Sequence, residues 1–379
     1  MAGIYIHIPF CRKACNYCNF HFSTQLAGKP MVLSAIVKEI VARKHELDQP
    51  LFHTVYLGGG TPSLLTEEEL EGLLSAVRTN YPIAADAELT LEANPDDLNP
   101  ASLQIWRKLG INRLSIGVQS FFDRDLQWMN RAHNASEALD GIQQAKEAGF
   151  ENFSIDLIYG TPGLTDEDWI SNIERAIGLG VPHLSCYALT VEEKTALAHL
   201  IKHNKLPNTD PEQQSRQFLI LMERVRRAGY EHYEISNFAL PGWRSRHNSS
   251  YWSGEPYLGF GPGAHSYNGS HRRWNVSNNS VYLRAVNAGE PYSEQEELTT
   301  ENRRHEYIMT SLRTMEGLDL NYYRISFGEK ATNDLLNLAT KYLQLTKSEG
   351  PARLTITADR IMLTDEGKLF ADGIAAHFF

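Results

Sequence analysis

The segment "IYIHIPFCRKACNYCNFHF" places Cys11, Cys15 and Cys18 within eight residues of a chain that has only four cysteines. Three thiolates at Cys-x3-Cys-x2-Cys spacing on a short loop suit one face of an iron–sulfur cluster, and a four-iron cluster normally takes four of them. Three ligands leave one iron open, and an open position is where a metal site binds a reactant. Zinc is the competing metal. No histidine stands at the usual paired zinc spacing, although His7 and His21 are near the triad in sequence. Position 20, where a nearby fourth thiolate would fall, is Phe20. Cys186 sits in an apolar run, where a cysteine behaves as a small buried hydrophobe.

Other residues suited to ligand chemistry are scattered far along the chain. "YLGGGTPS" (56–63) is glycine-rich, which lets the backbone at Gly59, Gly60 and Thr61 approach a ligand closely; no Gly-Lys-Ser/Thr follows, so it is not a phosphate-binding P-loop. Glu92 in "LEANP" and Asp156 in "SIDLIYG" are carboxylates in apolar surroundings, where an unpaired charge is costly. Either they pair internally, with Arg113 or a backbone amide, or they meet a polar ligand such as ribose hydroxyls or an amine. Gln119 and Arg131 in "GVQSFFDRDLQWMNR" are further candidates, and the Arg131 guanidinium suits a carboxylate.

The elements that must position these residues are β-like runs at Ile4–Ile8, His53–Leu57, Glu88–Leu91, Arg113–Val118, Phe153–Ile158 and His183–Leu189. Amphipathic stretches lie between them, near Met31–Leu47, Glu67–Asn80, Pro100–Leu109, Ser136–Ala148 and Asp166–Leu179. Strand then helix, repeated about every 30 residues, implies parallel βα units. Six units are too few for an eight-fold barrel, so an open or partial α/β barrel is expected. The cysteines follow the first strand, and "GGGTP", "EANP", "GVQS", "DLIYGTP" and "CYAL" end the next five. The carboxyl ends of parallel strands share one rim, so these features should converge there.

Beyond Leu200 a helix near Pro211–Ala228 and a strand in "YEHYEIS" are expected, then exposed Gly-, Ser- and Asn-rich loops to about Asn279. A helical pattern returns at Glu301, and a hairpin-like pair followed by a helix ends the chain in a small unit of winged-helix appearance. The expected organisation is a βα domain over 1–235, a linker over 236–290, and a C-terminal domain over 291–379.

At 379 residues with 42 % hydrophobic and 22 % charged residues, the composition is that of a soluble globular protein. No run of about 18 apolar residues is present, so no transmembrane segment is expected. A strand-like pattern, rather than a leader, opens the chain, and the expected location is cytoplasmic. A reducing cytoplasm favours metal binding over disulfides for the cysteines. A net charge of -10 and a pI near 5.8 argue against a general nucleic-acid binder. The local basic clusters "GWRSRHN" and "SHRRWN" remain as places for an anionic ligand.

The triad after a first strand, with Tyr17 just before its last cysteine, resembles the radical S-adenosylmethionine (SAM) superfamily. The resemblance implies a partial (β/α)6 barrel holding a 4Fe-4S cluster on Cys11, Cys15 and Cys18. It also implies SAM chelated to the open iron and its reductive cleavage to a 5′-deoxyadenosyl radical. "YIHIPFC", "GGGTP", "EANP", "GVQSF", "NR" and "DLIYGTP" resemble the branch that contains oxygen-independent coproporphyrinogen III dehydrogenase, over the first half to two-thirds of the chain. By that resemblance the SAM contacts are Tyr5, Tyr17, Gly59, Gly60, Thr61, Glu92, Gln119, Arg131, Asp156 and Ala188.

Two features distinguish the branch's members. The dehydrogenase has a further cysteine where this chain has Phe20. "RHNSSYWSGEPYLGFGPGAHSY" carries His247, Asn248, Tyr251 and Trp252, the HNxxYW pattern of the haem-chaperone (HemW) subfamily. That resemblance implies haem as a third cofactor and an acceptor protein, and the acidic net charge and missing span suggest visits to a membrane client rather than residence there. His247 is expected as the axial nitrogen, with His265 as rival, and Arg244, Arg246, Arg272 and Arg273 as partners of the propionates. The alternative is an enzyme, the dehydrogenase itself, catalysing two oxidative decarboxylations; no catalytic residue is assigned.

Overall fold

In the first strand Ile4, Ile6 and Ile8 alternate with Tyr5 and His7, a pattern that gives its two faces different work. The computed structural model describes residues 2–48, 50–343 and 351–379. In it the parallel strands β1 (Ala2–Ile8), β2 (Phe52–Gly59), β3 (Ile83–Ala93), β4 (Arg113–Gln119), β5 (Phe153–Tyr159) and β6 (His183–Ala188) pair in chain order. Helices α1 (Lys29–Ala42), α2 (Glu67–Asn80), α3 (Pro100–Lys108), α4 (Asp123–Trp128), α5 (Ala135–Glu147) and α6 (Asp166–Gly178) fill the crossovers. Their starts are encoded locally. The Thr66 hydroxyl accepts from the Glu69 N–H at 3.3 Å while the Glu69 carboxylate accepts from the Thr66 N–H at 2.9 Å, a reciprocal cap. Asn134 and Glu137 repeat this reciprocal cap at α5, and the Thr165 hydroxyl accepts from the Asp168 N–H at α6.

On one face of the sheet, Ile4, Ile6 and Ile8 join Val32, Ile36 and Ile40 of α1 in the main core. Burying each such side chain contributes roughly 1.5–3 kcal/mol. The other face is polar. Its register sets Gly3, Thr54 and Glu88 side by side, then Tyr5, Tyr56, Thr90 and Arg113, then Glu92, Ser115, Ser154 and His183. The last row starts near the end of β3 and finishes at the beginning of β6, the stagger that barrel curvature requires. Buried parallel strands usually read as continuous apolar runs; these alternate because they enclose a polar interior.

The barrel does not close. After α7 (Ala196–Lys202) and α8 (Pro211–Arg227), β7 (Glu231–Glu234) and β8 (Asn237–Ala239) extend the sheet antiparallel beyond β6. The segment 236–290, expected as a linker of loops, is instead largely structural. It forms β8, α9 (Arg246–Trp252), β9 (Tyr257–Phe260), β10 (His265–Tyr267), β11 (His271–Asn275) and α10 (Asn279–Ala288). β9 pairs in parallel with β1, and β10, β11 and β12 (Ser293–Glu297) continue the sheet outward. Strands of three to five residues interrupted by glycines, such as Gly261 and Gly269 at φ 99° and 97°, are too short to show periodicity in sequence.

The C-terminal unit comprises α11 (Thr300–Leu312), β13 (Leu318–Asp319), α12 (Leu320–Phe327), α13 (Glu329–Leu343), β14 (Leu354–Ile356), β15 (Arg360–Leu363), α14 (Asp365–Lys368) and α15 (Ala371–His377). It packs its own core from Ile308, Leu312, Tyr323, Leu335, Ile361 and Phe378, beside a three-stranded sheet ordered β13-β15-β14. Helix, strand, two helices and a hairpin is the element order of a winged helix.

Candidate functional site

The cysteine loop leaves β1 at the carboxyl-end rim with its three thiols half-buried and free of disulfides. Its ends are pinned by the Cys11 N–H donating to Ser23 O at 3.0 Å and the Ser23 N–H to Pro9 O at 2.9 Å. Its middle is latched to the turn after α4. There the Asn16 amide group donates to Trp128 O and Asn130 Nδ2 to Ala14 O, both at 2.7 Å, while Lys13 Nζ donates to Arg131 O at 2.9 Å. Asn130 takes φ 59°, a left-handed conformation that asparagine tolerates. Arg131 completes the latch. Its Nη1 donates to Cys15 Sγ at 3.3 Å and its Nη2 to Asn94 Oδ1 and Gly117 O at 2.8 Å each, while its Nε is buried without a partner.

Burial pushes the Cys11 thiol up, opposed by the Thr61 hydroxyl, and pushes Cys18 up to about 11, opposed by the Phe20 backbone. Both keep their protons at neutral pH, and binding a metal centre there would require displacing them. Among the described residues no three His, Cys, Asp or Glu side chains converge on one ion-sized point.

The glycine loop after β2 closes tightly on the end of β1. The Gly60 N–H donates to Ile8 O at 2.9 Å and the Thr61 N–H to Phe10 O at 2.7 Å. A Cβ on Gly60 would lie 2.6 Å from Phe10 O, and one on Gly59, at φ 105°, only 2.4 Å from His7 Cε1. Glycine is required at both positions, and Thr61 thereby reaches Cys11. Behind them Glu92 accepts from the Tyr56 hydroxyl at 2.9 Å and the Gly59 N–H at 3.0 Å. Burial, reinforced by Asp156, raises Glu92 to about 7, and burial raises Asp156 to about 6 despite Ser185 and Arg113. Arg113 does not pair with Glu92; its nearest carboxylate is Glu88, at 3.9 Å.

Gln119 ends β4 at φ 68°, where the β4–β5 register breaks, a strained conformation of the kind that clusters at ligand sites. Its Nε2 would meet a Cβ on Gly117 at 3.0 Å, and Arg131 Nη2 would meet it at 3.1 Å, so Gln119 and Arg131 flank one point. Tyr17 packs with Met129, Ile158, Leu189 and Leu197, and half-buried Ala188, the residue before Leu189, ends β6 and packs against the main core. Tyr5 lies deeper, its hydroxyl 3.0 Å from His7 Nδ1 and its ring 6.1 Å from that of Tyr56. Cys186 is buried in the core.

The HNxxYW segment lies at the opposite, amino-terminal end of the same polar face. Glu88 accepts from the Arg246 and His247 N–H groups at 3.0 Å each, holding the positive end of α9 against the sheet. His247 is 1 % exposed. Its Nδ1 shares a hydrogen bond with the Thr54 hydroxyl at 2.8 Å and its Nε2 with the Tyr251 hydroxyl at 3.0 Å. Its ring stacks on Tyr56 with centroids 4.9 Å apart. Burial, with Arg113 nearby, lowers His247 to about 3, so the ring is neutral. The expected axial ligand thus has both nitrogens engaged, because the i, i+4 helical spacing brings the Tyr251 hydroxyl over the ring while β2 supplies Thr54.

His265 is exposed on β10, its ring 6.3 Å from that of Trp274. The four arginines do not form one patch. Arg244 pairs with Glu231 and Glu316, Arg246 with Asp86, Arg272 with Glu306 and Arg273 with Glu46. Sequence reasoning missed Thr54, Tyr56 and Glu88. The signal was present, since Glu88, Thr90 and Glu92 continue one period-two face through "AELTLEA".

With this geometry in view, the Radical SAM superfamily matches residues 5–176. The heme chaperone HemW of Bacillus subtilis is 36 % identical over 381 residues, covering 100 % of this chain and 99 % of its own length. The heme chaperone HemW of Escherichia coli is 32 % identical, covering 99 % of this chain and 97 % of its own. Coproporphyrinogen III oxidase (HemN) from Escherichia coli, a solved radical SAM enzyme, superposes with a TM-score of 0.84 at 26 % identity, covering 100 % of this chain and 89 % of that one.

Proposed function

The chain belongs to the radical SAM superfamily and, within it, to the HemW haem-chaperone family, and on that premise we propose that it binds haem together with a 4Fe-4S cluster and SAM and passes the haem to an acceptor protein. The observation that carries this reading against porphyrin oxidation is Phe20. It is 66 % exposed beside the cysteine loop, where the dehydrogenase resemblance calls for another cysteine.

Cys11, Cys15 and Cys18 would hold the cluster, and Gly59, Gly60, Thr61, Glu92, Gln119, Arg131 and Asp156 would contact SAM, with Tyr5, Tyr17 and Ala188 bordering them. Bound there, the cluster and SAM supply the one-electron chemistry of the superfamily. The chain's own part is electrostatic and steric. Arg131 sets a cation beside Cys15, Glu92 and Asp156 offer carboxylates to an ammonium or ribose hydroxyls, and Gln119 fixes the rim's floor. No described helix is long and apolar enough to cross a membrane; a cytoplasmic carrier that visits a membrane client is the location we favour.

The fold-wide likeness to coproporphyrinogen III oxidase supports the second reading, an oxidative decarboxylase. One anaerobic preparation decides between them. Reconstituted protein is titrated with haem while the Soret band is followed, then supplied with reductant, SAM and coproporphyrinogen. Haem uptake without porphyrin turnover is expected; catalytic turnover would overturn the chaperone reading. A preparation that stays colourless after iron–sulfur reconstitution would sink both in favour of a zinc site.

A further inference from the structure

A cleft of about 890 Å³ opens between the end of α9, the β9–β10 strands and helices α11 and α12 of the C-terminal unit, within the range of ~300–1,000 Å³ that suits small-molecule pockets. Its walls are aromatic: Trp252, Tyr257 and Tyr267 from the sheet domain, Tyr307, Tyr322 and Phe327 from the C-terminal unit. Tyr251 and Trp252, the last residues of the HNxxYW segment, line it. His247 does not; it is enclosed behind Tyr251.

Two guanidiniums face the same space; of the carboxylates that line it, Glu306 is taken up by Arg272, Asp319 by Arg360, and Glu255 is itself partnered. Arg272 lies over the Tyr267 ring at 5.5 Å and pairs with Glu306 at 3.0 Å, yet its Nε is buried with no partner. Arg303 donates to Thr300 Oγ1 at 3.3 Å and forms no ion pair with a carboxylate among the described residues. Aromatic side chains on two walls can take a flat ring by offset stacking, and guanidiniums bind carboxylates with directional, charge-assisted bonds. A planar aromatic dianion satisfies both requirements at once. The cleft is also remote from the cluster: Tyr257 pairs with Gly3 at the start of β1, whereas the cysteines follow its end.

We propose that this interdomain cleft is the haem site, with the macrocycle between the two aromatic walls and its propionates at Arg272 and Arg303. The inference rests on the haem-chaperone reading. It moves the ligand from the His247 ring to the far end of the motif, and it makes the C-terminal unit one wall of the carrier. His247 becomes a positioning residue that holds Tyr251.

The test is a Soret titration of the full-length, cluster-reconstituted protein and three variants, with iron content and circular dichroism as checks on folding. Ser326→Trp fills the cleft from an exposed position on α12, and Arg303→Glu reverses the charge that lacks a carboxylate partner. Each should raise the haem Kd by about tenfold or more. Haem dimethyl ester, which lacks free propionates, should be insensitive to Arg303→Glu. His247→Ala should weaken haem less than Ser326→Trp does. If the unaltered protein binds haem but Ser326→Trp and Arg303→Glu bind it equally well, or if His247→Ala is the most damaging change, the cleft is the wrong site while the chaperone reading stands. If the unaltered protein takes up no haem, both fall.

Discussion

At the carboxyl ends of the strands Arg131 Nε has no partner and three thiols stand half-buried, whereas at the amino ends Glu88, His247, Thr54 and Tyr251 satisfy one another within the protein. Both ends belong to one polar face with one alternation. Between them Thr90 Oγ1 and the Nε and Nη2 of Arg113 make no hydrogen bond within the protein, Glu88 lying 3.9 Å from Arg113 Nε. Polar type alone therefore says little about ligation. A histidine whose hydrogen bonds are filled by its neighbours is structure, whereas an arginine with an unmatched N–H beside a thiol keeps a donor for the proposed ligand.

The sharpest break of this comparison is Cys15→Ala. Removing one of three ligands at the open end should abolish stable cluster incorporation, read as loss of brown colour and of bound iron, while leaving the fold intact by circular dichroism. Iron content equal to that of the unaltered protein would detach the triad from the cluster.

Glu88→Ala attacks the other end and should do the reverse. It uncaps α9 and leaves Arg113, 1 % exposed, without its nearest carboxylate. A loss of roughly 3 kcal/mol in unfolding free energy by urea titration is expected, with iron still incorporated. A stability unchanged within about 0.5 kcal/mol would mean that the amino end is not the stabilising one.

The smallest effect concerns pH. Burial raises Glu92 to about 7 and Asp156 to about 6. An ammonium-bearing ligand favours their ionised forms, so SAM affinity measured by calorimetry should rise, about tenfold, between pH 5.5 and 7.5. The ligand-free protein should show the opposite sign. Its folded state holds these protons to higher pH than the unfolded chain does, so stability is greatest below the unfolded values and declines as pH climbs through 6 to 7. A flat binding profile would remove the two carboxylates from the ligand's contacts.

Much of this was legible from residues alone. The six strands and their helices could be read because Ile4, Ile6 and Ile8 repeat every second residue and Thr66 with Glu69 marks a helix start, signals held within one element. The cysteine spacing likewise pointed to a cluster-type ligand set, since three thiols within eight residues need no long-range contact to be near one another. What the sequence could not decide was which polar groups had already found partners. His247 finds its own in Thr54, 193 positions away, and in Tyr251. The supposed linker became sheet because β9 finds β1 across more than half the chain. The cleft exists only where α9 meets α11 and α12. Satisfaction of a hydrogen bond, burial of a ring and the shape of a cavity depend on which distant segments meet, and that was decided by tertiary packing.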